Sequence, residues 1–214
     1  MNLIELNNVT PAAFADIPHI VSEVWQSSLV FEKGKKYLVS AQSGGGKSSL
    51  CAFLFGYRAD YSGDIFFDKR NLRDFSVNDW CLVRQRQIAY LPQDLRLFGE
   101  LTAWENVSIK NEITSFRNDS EVLEMFRKLG IEDMIGKPVG KLSIGQQQRV
   151  AIIRALCQPC DFIMLDEPVS HLDEDNNAVI AELVYDCAEK AGAGIIATSV
   201  GNNLNMDYDI VLKL

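Results

Sequence analysis

One stretch constrains this chain more than any other: YLVSAQSGGGKSSLCAFLFG, residues 37–56. Tyr37–Ser40 reads as a strand. Lys47–Phe55 reads as a helix with Leu50, Phe53 and Leu54 on one face and Gly56 as its stop. Between them Ser43-Gly44-Gly45-Gly46 leaves room only for a tight turn. Glycines there let successive backbone N–H groups point inward and form a concave site for an anion. The helix that follows adds the positive end of its dipole. In that geometry Lys47 reaches the β- and γ-phosphates of a nucleotide, and the Ser48 hydroxyl suits Mg²⁺. A flexible turn before a surface lysine is the plainer alternative, and the placement of Gly-Lys-Ser directly between strand and helix argues against it. The strict pattern G-x-x-x-x-G-K-[ST] fails only at Ala41. At positive φ an alanine would carry about 1–2 kcal/mol of strain, so Ala41 is expected to tighten the loop rather than abolish it.

The rest of the chain supplies a frame for that loop. Short apolar or alternating segments at Leu3–Leu6, about Leu29–Phe31 and Ile65–Phe67 predict an extended, β-rich first third. The polar run Asp68-Lys69-Arg70, leading to Asn71-Leu72, suggests a hairpin. Val122, Leu123, Met125, Phe126 and Leu129 recur at helical spacing and stop at Gly130. Gln146–Leu156 and Asn176–Lys190 read as further helices. Phe162–Leu165, Gly194–Thr198 and Ile210–Leu212 read as buried strands of a parallel sheet. Strands alternating with helices predict an α/β layered fold, with the β-rich start and the helical middle as additions to it.

Composition narrows the functions. The 214 residues carry a net charge of −8, which disfavours nucleic acid as a partner. The sequence has neither a secretory leader nor an apolar run of the ~20 residues that span a bilayer, so a membrane role would run through a partner. An odd number of cysteines, five, points to reduced thiols. Cys157 and Cys160 form a solitary CxxC, read as two small apolar side chains near a turn at Pro159; neither they nor His19 and His171 give metal-ligand spacing.

A second acidic site supports the loop. Phe162–Leu165 ends in Asp166-Glu167. A carboxylate at the end of a buried strand suits Mg²⁺, and the next one is placed to orient or deprotonate an attacking water. Two solvated acids before Pro168 would be the ordinary reading of that turn taken alone.

Taken with LSIGQQQR at 142–149, LDEP at 165–168 and SHLD at 170–173, the chain resembles the ATP-binding cassette (ABC) family over nearly its whole length. The resemblance implies a single cassette, 1–214, on an α/β P-loop NTPase core. Its sheet is mainly parallel, with an N-terminal antiparallel β-subdomain. About 1–92 and 158–214 would form the core, and about 93–157 an inserted α-helical subdomain with the signature motif. It implies ATP with Mg²⁺ as ligands. Ser43, Gly44, Gly45, Gly46, Lys47, Ser48 and Ser49 match the phosphate loop. Gln93, in AYLPQD, matches the glutamine that senses metal and water and faces a transport partner, so Ser48, Gln93 and Asp166 are the expected metal residues. Ser143, Gly145 and Gln146 match the signature, Glu167 the catalytic carboxylate and Asp173 the acid of the following loop. Phe14 is the expected adenine-stacking residue, with Trp25 a weaker choice.

In that family two cassettes close around ATP, because the signature helix of one points its N-terminus at the γ-phosphate held by the other. The implied partners are a second copy, or another cassette, and a separate transmembrane subunit. The implied location is cytoplasmic, on the inner face of the membrane through that subunit. The sequence departs from the pattern at Ala41, at Ile144 in place of a glycine, and at Ser199 in place of the histidine that contacts the γ-phosphate. Ile144 should have a mild effect, and Ser199 is the most consequential: it predicts ATP binding largely retained with slower hydrolysis. The alternative is an ATP-operated switch with little hydrolysis. LPQDLRLFGELTAWENVSI, residues 91–109, resembles the branch serving lipoprotein release, cell division and macrolide export. The last strand closes the chain, and no appended regulatory domain is expected.

Overall fold

A computed structural model describes residues 1–17, 19–169 and 174–214. Its elements form an antiparallel and a parallel sheet. In the first, β2 (Ser28–Glu32), β1 (Leu3–Pro11), β4 (Tyr61–Phe67) and β5 (Arg70–Asn71) lie in that order. The turn of the β4–β5 hairpin is Asp68-Lys69, both at positive φ, and Arg70 belongs to the returning strand rather than to the turn. Strand β1 runs well past Leu6. Its pairing with β4 shifts register between Asn7 and Thr10, where Asn8 adopts φ 52°. That bulge breaks the alternation from which the shorter strand was read. Opposite it, a Cβ on Gly63 would lie 2.3 Å from the Asn8 carbonyl oxygen, so only glycine fits.

The parallel sheet has the order β6-β7-β8-β3-β9 (Ile88–Leu91, Phe162–Asp166, Gly194–Ser199, Lys36–Ser40 and Ile210–Lys213). Every residue of β7 and β8 is buried. Alternate side chains enter different cores, as a sheet covered on both faces requires. Tyr37, Val39, Phe162, Met164 and Ile196 join Ile4, Phe31 and Ile65 of the antiparallel sheet and Leu50, Phe53 and Leu54 of helix α1 (Lys47–Leu54). Leu38, Ile163, Leu165, Ile195 and Ala197 join the helices on the other side. β9 corrects the expectation of a buried strand: among the described strands it is an edge, paired with β3, and Val211 is exposed.

Helix α2 (Val77–Leu82) precedes β6, and α3 (Ala103–Asn111), α4 (Asp119–Lys128) and α5 (Ile144–Leu156) lie between β6 and β7. Helix α6 (Glu174–Ala191) follows β7. α2 and α3 carry little periodicity and escape a reading based on it. Their starts are nevertheless written as capping boxes, Ser76 with Asp79 and Thr102 with Glu105. Gly130 ends α4 at φ 63°, as expected of a C′ glycine. No helix among the described residues is long and apolar enough to cross a membrane.

Candidate active site

Parallel pairing brings four chain segments to one edge of the sheet. Ser40 of β3 pairs with Ser199 of β8, Thr198 of β8 with Asp166 of β7, and Leu91 of β6 with Leu165 of β7. The loops that leave these strand ends carry Ala41–Gly46, Glu167 and Gln93. Ligand sites of open parallel sheets form at the carboxyl ends of the strands.

The glycine loop has the geometry of an anion cradle. Gly44 and Gly46 sit at φ 86° and 92°, a region closed to most side chains. Gly46 occupies the N-cap position of α1 and supplies no side-chain cap. In contrast, α2, α3, α4 and α5 each carry a capping box. The first-turn N–H groups of α1 are therefore left to whatever enters the loop. Ala41 is not at positive φ, so the strain considered for it does not arise. Instead its methyl crowds Gly45, where an added Cβ would fall 2.8 Å away.

Lys47 is buried, with 4% of its side chain exposed. Its ammonium donates to the carbonyl oxygens of Ala41 at 3.2 Å and Gln42 at 3.1 Å, and lies 3.7 Å from Glu167 Oε1. Gln93 Nε2 donates to the other Glu167 oxygen at 3.1 Å. Lysine, glutamate and glutamine thus form one connected group. Glu167 reaches it from a left-handed backbone, φ 53°, a conformation costing about 1–2 kcal/mol for a non-glycine residue.

Thr198 holds that turn, and the sequence reading missed it. Its hydroxyl donates to Asp166 Oδ1 at 2.6 Å and accepts from the Glu167 N–H at 3.2 Å. Thr198 is fully buried and Asp166 is 2% exposed. Gln148 of α5, also missed, donates to the Pro168 carbonyl and ties the next part of the turn to the helices. A polar residue inside an otherwise apolar strand, as in GIIATS, was the available signal for Thr198; Gln148 sits in a run of three glutamines with nothing to single it out.

Ser48, Gln93 and Asp166, the three expected metal residues, line one open cleft of about 540 Å³ with Tyr57, Arg58 and Tyr90. Hydroxyl, carboxylate and amide oxygens suit a hard cation that keeps waters and phosphate oxygens as its other ligands. Burial, followed by the charge of Asp166, pushes the Cys51 thiol well up; burial, then Cys51 and Asp166, does the same to the Tyr90 phenol. Both stay neutral beneath the carboxylate.

Other expected residues have local roles. Ser43 is exposed at the mouth of the loop, and the Ser49 hydroxyl accepts from Arg58. Ser143 caps α5, accepting from the Gln146 N–H, while Gln146 Oε1 accepts from the Ser143 N–H; Gly145 lies in the same first turn and Ile144 points outward, 50% exposed. The Ser199 hydroxyl is already engaged. It donates to the Asn202 carbonyl and accepts from the Gly201 N–H, and the residue is 1% exposed. Phe14 is half-buried, with its ring edge against Gly46. Trp25 is enclosed at 1% exposure, which leaves no ring face for a base and removes it as a stacking residue. Asp173 lies outside the described residues. Cys157 and Cys160 are free thiols, both pushed up to about 12 by burial, and among the described residues no cluster of metal-ligating side chains is present.

The family profile described as "ABC transporter" matches residues 24–170. An uncharacterised ABC transporter ATP-binding protein of Bacillus subtilis, YclH, is 32% identical over 87% of this chain and 83% of its own length. The lipoprotein-releasing system ATP-binding protein LolD of Buchnera aphidicola subsp. Schizaphis graminum is 32% identical over 86% of this chain and 76% of its own. Among solved structures, the dimeric bacterial ABC transporter cassette MJ0796 superposes with a TM-score of 0.82 at 26% identity, covering 98% of this chain and 94% of that one. A dimeric post-hydrolysis state of that cassette, bound to ADP and Pi, gives 0.78 at 25% identity over 93% and 88%.

Proposed function

Since the chain belongs to the ABC transporter family, we propose that it is the ATP-binding and ATP-hydrolysing subunit of a membrane transporter, closing as a dimer on ATP and driving a separate transmembrane partner. The observation that carries the reading is the connected group Lys47–Glu167–Gln93 set beside an uncapped helix start. The N–H groups of Gly44–Ser49 and the Lys47 ammonium take the β- and γ-phosphates. Lys47 then exchanges its carbonyl partners and its contact with Glu167 for phosphate oxygens, which frees Glu167. Glu167 accepts a proton from a water that Gln93 orients. That water forms the new P–O bond at the γ-phosphorus as the bond to the bridging oxygen breaks, giving ADP and phosphate. Mg²⁺, held by Ser48 and Asp166 with Gln93 nearby, would neutralise charge on the phosphates.

Phe14 provides an aromatic edge beside the loop for adenine. Ser143, Gly145 and Gln146 of a second cassette, or of a second copy, complete the cage through the positive end of α5. Asp173 takes its assigned place from the sequence pattern alone. The cleft at Gln93 faces the transmembrane partner, which would hold the subunit on the inner face of the membrane. Because the Ser199 hydroxyl is committed to its own turn, no side chain at that position reaches the γ-phosphate, and hydrolysis is slow. Glu167 and Gln93 in contact beside Lys47 favour hydrolysis over a switch with little of it. Glu167→Gln should lower Mg-ATP turnover about 100-fold or more while nucleotide binding and ATP-dependent dimerisation persist. Equal turnover in the two proteins would remove Glu167 from the mechanism.

A further inference from the structure

The phosphate loop has a buried prop that no motif describes. The Trp25 indole N–H donates to the Gly45 carbonyl at 3.1 Å. The same ring closes off Gly46: a Cβ there would lie 3.0 Å from Trp25 Nε1. The ring also meets Phe53 of α1 edge-on, with centroids 6.3 Å apart. The turn that carries it is pinned as well. The Val24 and Trp25 N–H groups both donate to Ser22 Oγ; the Glu23 N–H donates to the Lys213 carbonyl of β9, and the Lys213 N–H donates to the Glu23 carboxylate. β9 lies against β3, the strand that feeds the loop.

The consequence follows from the planar peptide. Gly45 C=O and Gly46 N–H belong to one trans unit and point in opposite directions, and no cis bond interrupts the described residues. A carbonyl drawn down onto a buried indole turns the Gly46 N–H up toward the open side of the loop. Glycines at 44, 45 and 46 would otherwise leave that peptide free to flip.

We propose that Trp25 is a positioning residue for phosphate binding: its indole N–H fixes the Gly45–Gly46 peptide so that the Gly46 amide faces the incoming phosphates. This rests on the ATP-binding reading above. The ligand chemistry it serves is the polyphosphate chain, independent of the base.

Trp25→Phe keeps the ring and removes the donor. The test is calorimetric titration of wild type and variant with Mg-AMPPNP and with magnesium and inorganic triphosphate. Titrations are made well below either melting temperature, so that a change in fold stability alone does not alter affinity. Both ligands should bind about fivefold more weakly to the variant, the loss of one hydrogen bond's worth of orientation. In steady state KM should rise with kcat little changed. Unchanged affinity for both ligands overturns the assignment. So does a loss confined to AMPPNP, which would make residue 25 a contact for the base. If the variant does not fold, the indole N–H of Trp25 in the wild type decides, identified by elimination with Trp80→Phe and Trp104→Phe. Slow solvent exchange without ligand and a shift of its NMR signal on adding magnesium and triphosphate support the proposal; fast exchange or no shift overturns it. Wild type that takes up neither ligand would sink the ATP-binding reading itself, a result distinct from wild-type binding that is indifferent to Trp25→Phe.

Discussion

Two neighbouring hydroxyls at the end of β8 show how differently similar groups can serve. The Thr198 hydroxyl holds the Asp166 carboxylate and the Glu167 backbone N–H of the acidic turn, whereas the Ser199 hydroxyl bonds within its own loop. Thr198→Val keeps the shape and leaves the buried Asp166 oxygen without its donor. It should cost about 1–3 kcal/mol, read as a lower urea midpoint, and should lower Mg-ATP turnover as well. Ser199→Ala should lose a fraction of that stability and leave turnover unchanged. A marked fall in turnover for Ser199→Ala would place the serine at the phosphate after all. Thr198 was invisible as a site residue because its role depends on β7 and β8 being neighbours, a pairing between segments more than thirty positions apart.

Element boundaries test the same logic at larger scale. Thr102 and Ser143 are both N-caps with complete capping boxes. Changing either to alanine should cost about 1 kcal/mol in chemical denaturation. If the α5 start meets a second cassette as proposed, only Ser143→Ala should also impair ATP-driven dimerisation, measured by light scattering. Glycine stops differ in a comparable way. Gly56 and Gly130 both have positive φ, but a Cβ on Gly56 would fall 2.4 Å from the Trp80 ring, whereas Gly130 faces open space. Gly130→Ala should cost about 1 kcal/mol. Gly56→Ala should cost at least about 2 kcal/mol, the excess coming from overpacking; equal losses in the two would mean that backbone conformation alone matters. The stop signals of α1 and α4 were readable from sequence, while the extra penalty at Gly56 was not, since Trp80 arrives from a helix that periodicity did not reveal.

For the whole molecule, burial of thiols links stability to pH. Cys157 and Cys160 are raised to about 12 from 9, and Cys51 and Cys187 are also raised, in each case chiefly by burial. In the folded protein these groups keep protons that the unfolded chain releases above pH 9. Stability they contribute is therefore full below pH 9 and declines as pH rises toward 12. Lys110, lowered to about 8 by burial and then by Arg154, acts in the opposite sense between pH 8 and 10.5. Four thiols outweigh one amine, so urea midpoints should fall from pH 9 upward. A midpoint that stays level or rises would mean the thiols do not govern alkaline stability.

Local chemistry was sufficient for the strand–loop–helix unit, for Lys47 at the start of its helix and Asp166 and Glu167 at the end of a buried strand, and for most strands of the parallel sheet. Those features depend on residues close together in sequence: glycines that permit positive φ, periodic apolar faces, and acids at a strand end. Tertiary structure alone decided that Gln93 touches Glu167, that Thr198 holds the acidic turn, that β9 is an edge and that Trp25 lies beneath the loop instead of against a base. Each is a contact between segments far apart in the chain, and sequence-local preferences do not specify which strand lies beside which until the two cores have formed.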